Sequence, residues 1–186
     1  MKFYPGTVVQ RQDGLGADFL NGIFIAGDVV MGQIKSLTGL CTPTLQNWIN
    51  RGFLSNPKAK KYNKNQLAKI LIINSLRKSM KLEDIYKLLY FVNGKADDTS
   101  DDIIEEATLY KYVCEVVLRD DFSIQTFDNC VIDALADYKE ANDGEKERLE
   151  IALKIICKQL IANSLLEDSE KLLASISYEK NSDTEQ

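Results

Sequence analysis

The polar side chains between residues 42 and 64 are of the kinds that bind double-stranded DNA. Asparagine and glutamine can bond bidentately to the edge of adenine, whereas lysine and arginine neutralise phosphates. The residues of this stretch that we expect to contact DNA are its hydroxyls, amides and cations: Thr42, Thr44, Gln46, Asn47, Asn50, Arg51, Lys58, Lys60, Lys61, Tyr62 and Lys64. Their side chains predict binding rather than catalysis.

Catalytic groups are scarce in this sequence. It contains no histidine, which removes the commonest general base and every nucleophile–histidine pair. It also lacks a Gly-x-x-x-x-Gly-Lys motif for phosphate. The four cysteines have no Cys-x-x-Cys spacing: Cys41, Cys114, Cys130 and Cys157. We therefore expect no enzyme activity, cofactor or metal site; Cys41 should pack in a turn and the other three should be buried as small apolar residues.

A helix over residues 43–51 would place the amide side chains. Thr42 is suited to the N-cap, Pro43 to the first helical position and Gly52 to a left-handed position after the helix. The apolar residues then share one side: Leu45, Trp48 and Ile49. The opposite side carries Asn47, Asn50 and Arg51, flanked by Gln46 and Thr44. Helical periodicity therefore predicts a buried face and an exposed polar face.

The flanking sequence predicts a winged helix-turn-helix. Residues 31–37 can form the preceding helix, and Thr38-Gly39-Leu40 a compact turn. A short apolar piece, a turn at residues 55–57 and the basic segment 58–62 follow, which together indicate a β-hairpin wing along a phosphate backbone.

Charge is distributed unevenly along the 186 residues, although the net charge is only −5. Residues 31–95 contain 12 basic and 2 acidic side chains, whereas residues 96–186 contain 9 basic and 23 acidic ones. The first segment is therefore suited to a polyanion, and the second to a different task. No long uncharged apolar run and no signal-peptide pattern occur, so we expect a reduced cytoplasmic protein without a membrane partner.

The rest of the sequence predicts a mainly α fold. Residues 1–30 read as an N-terminal arm, packed from about Phe19, with Ile23–Ile25 and Val29-Val30 as short strands or apolar tethers. Asn63 and Gln66 form a capping-box pattern before a helix over 64–79, and a helix over 82–92 ends at Asn93-Gly94.

Residues 95–101 are polar and acidic, and they predict a boundary between a DNA-binding domain, 31–95, and an acidic helical domain, 96–176. Helices are expected over 103–119, 123–141, 145–163 and 165–176. Residues 177–186 read as a disordered tail.

Two family resemblances rest on these residues. Thr38–Leu54, the basic wing and Lys81-Leu82-Glu83-Asp84-Ile85 resemble the N-terminal domain of MerR-type transcription regulators. Gln46 and Asn47 stand where that family has arginine and tyrosine. The chain, over roughly residues 18–120, also resembles the bacterial family called domain of unknown function 1836. That resemblance rests on Ile23–Gly27, on Leu37–Leu40 followed by an Ile-Gln-Asn-Trp-like helix, and on an Asp-Asp-Ile-Ile-like segment.

The resemblances and the basic segment favour a sequence-specific, DNA-binding transcriptional regulator. MerR relatives act as dimers, which implies a homodimer, with an unknown small-molecule effector as a further possible partner. A protein-interaction adaptor that has lost DNA reading is one alternative, and a small-molecule sensor acting through the acidic domain is another.

Overall fold

The computed structural model of the chain describes residues 3–12, 18–95 and 102–176 and is mainly helical. Two short strands, β1 (Val29–Val30) and β2 (Lys61–Tyr62), form an antiparallel sheet. The helices are α1 (Phe19–Ile23), α2 (Met31–Thr38), α3 (Thr42–Asn50), α4 (Lys64–Leu76), α5 (Leu82–Asn93), α6 (Glu106–Val117), α7 (Phe127–Ala134) and α8 (Glu145–Ala174), with a 3₁₀ turn at Phe24–Ala26. In the described ranges no helix is long and apolar enough to cross a membrane.

Helix α4 is the centre of the core. Its residues from Leu67 to Ile73 are all buried, and the helix packs against α2, α5, α6 and α8. The predicted capping box is confirmed: the Asn63 side chain accepts from the Gln66 N–H, and the Gln66 side chain accepts from the Asn63 N–H. The helix ends at Leu76, earlier than the predicted Ser79. Because every face of α4 is covered, the helix fixes the elements around it.

The two predicted domains share one hydrophobic core. Helices α4 and α6 pack along each other, and α8 covers α4 and α5. Asn93, at the end of α5, pairs its side-chain amide with the backbone of Ile104, and Arg148 of α8 donates to the carbonyl of Phe91. Most of the predicted linker, residues 96–101, lies outside the described residues. The basic and acidic segments therefore meet through apolar and polar contacts.

The N-terminal arm is packed earlier than expected. Tyr4 is buried, with its ring stacked 4.0 Å from that of Phe19, and Tyr110 donates to the Pro5 carbonyl. Gly6 has a positive φ of 72°, and a Cβ there would lie 2.0 Å from the Leu71 carbonyl oxygen, so only glycine fits. Packing thus begins at Tyr4 rather than at Phe19.

Of the two interpretations of Ile23–Ile25, a short strand or an apolar tether, the strand is wrong. This stretch is helical, belonging to α1 and the 3₁₀ turn, and Ile25 is 87% exposed. The predicted strand at Val29–Val30 is present and forms β1.

In the described part of the acidic segment there are three helices rather than the predicted four. A single helix, α8, spans Glu145–Ala174 and replaces the two predicted helices. It continues through Asn163, whose side chain is buried and donates to the Ser75 carbonyl at 2.9 Å. Helices α6 and α7 are shorter than predicted at both ends. The predicted tail, 177–186, lies outside the described residues.

Candidate nucleic-acid interface

Helix α3 begins one residue earlier than predicted. Cys41 occupies the N-cap position, Thr42 is the first helical residue and Pro43 the second. The sulfur of Cys41 lies 3.1 Å from the hydroxyl oxygen of Thr44, and this hydrogen bond lowers the pKa of the Cys41 thiol. Cys41 is exposed, so the prediction that it packs in the turn is wrong. Thr42 and Thr44 are half-buried beside it.

The two faces of α3 are those predicted. Leu45 and Trp48 are buried and Ile49 is half-buried, which fixes the rotation of the helix on the core. The exposed face carries three amide side chains: Gln46, Asn47 and Asn50. Gly52 follows the helix with φ 73°, the left-handed conformation expected of it. Burial of the apolar side therefore presents the amides to solvent as a row.

Arg51 follows the last of these amides in the sequence, and its side chain already contacts other residues of the protein. Its guanidinium bonds a carboxylate oxygen of Glu83 in α5 at 2.5 Å and lies 4.6 Å from the ring centre of Phe53. The hydrogen bond from Arg51 lowers the pKa of the Glu83 carboxyl. The positive charge of Arg51 is thus partly neutralised by Glu83.

The basic wing is smaller than the predicted hairpin. Strand β2 pairs with β1, which precedes α2, in the register Val29 opposite Tyr62 and Val30 opposite Lys61. The hairpin itself is a single bridge in which the Lys61 N–H donates to the Lys58 carbonyl at 2.9 Å. The end of the wing is therefore held by strand pairing to β1, which directly precedes α2 in the sequence.

The two residues at the tip of the wing, Ala59 and Lys60, both have positive φ, 48° and 61°. Tight turns of this kind usually contain glycine or asparagine, so the tip is strained. Alanine and lysine do not favour such a turn, so the turn could not be predicted from the sequence. The turn leaves three lysine side chains exposed: Lys58, Lys60 and Lys61.

Two of the predicted contact residues are placed differently from the lysines of the tip. Tyr62 is only 2% exposed and is part of the core, and burial raises the pKa of its phenol. Its side chain is therefore largely shielded from solvent, unlike those of the exposed lysines. Lys64 is half-buried at the start of α4 and donates to the side chain of Asn21 in α1.

A groove of about 380 Å³ joins α3 to the wing. It is lined by Met31, Gln46, Ile49, Asn50, Asn56, Pro57, Lys60 and Tyr62. The structure thus brings four of the predicted contact residues together around one opening: Gln46, Asn50, Lys60 and Tyr62. The other predicted contact residues lie outside the lining: Thr42, Thr44, Asn47, Arg51, Lys58, Lys61 and Lys64. Met31, Asn56 and Pro57 belong to the site but were not predicted, because no local pattern places them opposite α3.

A family model matches the segment of the chain around this groove. Residues 27–113 match the family described as domain of unknown function (DUF1836), which confirms that resemblance from β1 through most of α6. The uncharacterized protein YkrK of Bacillus subtilis (strain 168) is 29% identical over 100 residues. The match covers 50% of this chain and 43% of YkrK, so the chain spans less than half of that relative's length. No solved structure matches. These matches include no MerR-type regulator.

Proposed function

We propose that the protein is a sequence-specific, DNA-binding transcriptional regulator whose DNA-binding domain is a MerR-like winged helix-turn-helix. Helices α2 and α3 form the helix-turn-helix, and residues 58–62 form the wing. The observation that carries this proposal is the groove in which Gln46 and Asn50 of α3 face Lys60 of the wing. Groups suited to base edges and a group suited to phosphate thus share one surface.

The chemistry assigns different tasks to the two sides of the groove. An α-helix fits the major groove of B-DNA, where the amides of Gln46, Asn47 and Asn50 can pair with adenine through both of its edge groups. Lysines at the wing tip would bond the flanking phosphates, which sets the register of α3 on the duplex. Trp48 and Leu45 hold the helix in the rotation that keeps the amides outward.

The charge that the wing offers is not neutralised within the described part of the chain. Lys69, Lys78 and Arg51 of the basic segment are paired with carboxylates. Lys58, Lys60 and Lys61 are in no ion pair among the described residues, which is also true of Lys35, Arg77 and Lys87 of the same segment. Cations left without a carboxylate on a protein of net charge −5 are suited to an external polyanion.

Selection of bound duplexes from a random pool, followed by fluorescence anisotropy on the enriched site, tests this function. The full chain should enrich a defined sequence, and Gln46→Ala/Asn50→Ala should weaken binding to that sequence more than to random duplex. The matched control is Gln125→Ala/Asn129→Ala, which removes the same two exposed side chains at the same spacing far along the sequence. Equal weakening by both pairs would contradict base reading by α3.

A protein-interaction adaptor is the second candidate function, and one observation favours it. Half of the residues that line the groove are apolar or aromatic: Met31, Ile49, Pro57 and Tyr62. Such a lining can hold an apolar side chain of a partner protein. If the folded full chain binds no duplex at low salt, the regulator proposal is wrong and the adaptor takes its place.

A further inference from the structure

The guanidinium of Arg51 is held in one position by two neighbouring side chains. Its Nη2 atom lies 2.5 Å from a carboxylate oxygen of Glu83, and its Cζ atom lies 4.6 Å from the ring centre of Phe53. The Phe53 ring is buried and packs on the ring of Tyr86, with 4.9 Å between the ring centres. An arginine that is already stacked and paired loses little further side-chain freedom when it binds a ligand.

Both neighbours of Arg51 are anchored by the core of the protein. Glu83 lies in the first turn of α5, and Ile85, two residues later, is fully buried. The N–H of Phe53 donates to the Trp48 carbonyl of α3 at 2.9 Å. The position of the guanidinium is therefore set by α3 on one side and by α5 on the other.

These contacts leave most of the hydrogen-bond donors of Arg51 available. A guanidinium has five N–H donors, four of which form two edges that each offer a parallel pair. Within the described part of the chain, the Glu83 carboxylate accepts a single hydrogen bond from the guanidinium, at Nη2. One of the two edges therefore keeps both of its donors. The Arg51 side chain is 41% exposed, so a ligand with two adjacent acceptors can approach it.

The carboxylate beside Arg51 favours an uncharged ligand over a phosphate. The Glu83 side chain is 65% exposed, and a phosphate bound to Arg51 would be repelled by this second negative charge. The major-groove edge of guanine is uncharged and presents two acceptors, O6 and N7, side by side. Bidentate donation to these two atoms is the commonest specific contact that arginine makes with DNA bases.

Arg51 lies on the same exposed side of the reading helix as Asn47. It follows the last residue of α3, and its N–H still donates to the Asn47 carbonyl at 3.0 Å, so helical geometry extends to Arg51. Residues four apart are neighbours on a helix surface, and four residues rise about 6 Å. Base pairs are stacked about 3.4 Å apart, so the two side chains can contact base pairs within about two steps of each other.

We propose that Arg51 binds the O6 and N7 atoms of a guanine in the major groove, and that Glu83 positions Arg51 for this contact. The inference rests on the proposed function and names a base that the amides of α3 do not account for. It also gives a residue of α5, outside the helix-turn-helix, an influence on base preference.

Base analogues in the duplex that the full chain enriches test the contact. 7-Deazaguanine lacks the N7 acceptor, whereas inosine keeps N7 and O6 and lacks only the minor-groove amine. At one guanine of the site, 7-deazaguanine should weaken binding of the wild type on the order of 10-fold, and inosine should change it little. Arg51→Ala should bind the unmodified and 7-deazaguanine duplexes equally well.

Two results would overturn the guanine contact. One is an enriched site in which no guanine responds to the analogue. The other is an Arg51→Ala protein that still discriminates as the wild type does, or that loses equal affinity for every duplex, as a phosphate contact would. If the wild type enriches no sequence at all, the proposed function is wrong. If it enriches a sequence without a responsive guanine, only the present inference is wrong.

The role of Glu83 has its own test. Glu83→Ala should lose most of the discrimination between guanine and 7-deazaguanine, although its affinity for random duplex should not fall, because a negative charge has been removed. The matched control is Asp84→Ala, which removes the same charge from the next exposed residue of α5, one that is in no ion pair among the described residues. It should discriminate as the wild type does. Normal discrimination by Glu83→Ala, or an equal loss in the control, would overturn the positioning role.

Discussion

The ammonium nitrogen of Lys69 lies 3.0 Å from a carboxylate oxygen of Glu106, and the two side chains are only 7% and 12% exposed. Lys69 belongs to α4 and Glu106 is the first residue of α6, so this ion pair joins the basic and acidic segments of the chain. Asn65, one turn earlier on α4, accepts a hydrogen bond from the Ala107 N–H. The start of α6 is therefore fixed on α4 by polar contacts that complement the shared core.

Removing one partner of this pair should destabilise the fold strongly. Lys69→Met leaves the Glu106 carboxylate without its cation in a nearly dry site and should cost about 3–5 kcal/mol in the free energy of unfolding. Replacing both residues, Lys69→Met/Glu106→Leu, should recover most of that loss. The matched control is Lys78→Met, which breaks the exposed pair with Glu167 and should cost less than about 1 kcal/mol. Urea denaturation measures all three; equal costs for Lys69 and Lys78 would contradict the burial of the first pair.

Neighbouring residues of α3 should separate stability from binding. Trp48→Ala empties a buried site and should cost about 3–5 kcal/mol of stability. Asn47→Ala removes only an exposed amide, so the melting temperature should hold while binding to the cognate duplex weakens by about 1–3 kcal/mol. Thermal denaturation and anisotropy on both variants check this. A Trp48→Ala protein that melts normally but no longer binds would mean that the helix is rotated differently.

The cysteines should differ in reactivity. The hydrogen bond with Thr44 lowers the pKa of the exposed Cys41 thiol, whereas burial raises the pKa of Cys114 and Cys157 to about 12. A disulfide reagent at neutral pH should therefore modify one thiol in the native protein and all four in denaturant. Cys41→Ser should abolish the native reaction. Rapid modification of a second thiol in that variant would contradict the burial of the others.

Stability should depend on pH through Glu145, which begins α8. Its carboxylate accepts from the side chain of Asn142 and from the Ala141 N–H, and these bonds lower the pKa of the group. A carboxyl with a lower pKa in the folded state stabilises at pH above its unfolded value, and this contribution is lost as the pH falls through the folded value. Glu145→Gln should thus lower the melting temperature most near neutral pH. The difference in melting temperature between this variant and the wild type should shrink in acid. The control is Glu147→Gln, at an exposed position of the same helix, which should change the melting temperature little at any pH.

Local patterns predicted the elements whose causes are local. The spacing of Leu45 and Trp48 gave the rotation of α3, and Asn63 with Gln66 gave the start of α4. Both follow from helical periodicity or from bonds within one turn. The exposed amide face of the candidate site was predictable for the same reason.

Features that depend on distant partners were not predictable in the same way. The pairing of β2 with β1, the ion pair of Lys69 with Glu106, and the burial of Tyr62 each join residues far apart in sequence. Asn163 has low helix propensity, which favours a break, but its bond to the Ser75 carbonyl lets α8 continue. The left-handed turn at Ala59 and Lys60 also escaped prediction, because neither residue type favours that conformation.

The salt dependence of DNA binding tests the central claim most directly. If the three exposed lysines of the wing contact phosphates, Lys58→Ala/Lys60→Ala/Lys61→Ala should flatten the plot of log binding constant against log salt by about 0.9 per contact, or about 2.7 in all. The loss should be similar on every duplex sequence. Lys139→Ala/Lys146→Ala/Lys171→Ala removes the same charge from the acidic segment and should leave the slope unchanged. An unaltered slope in the wing variant, or an equal change in both variants, would contradict a DNA interface at the wing.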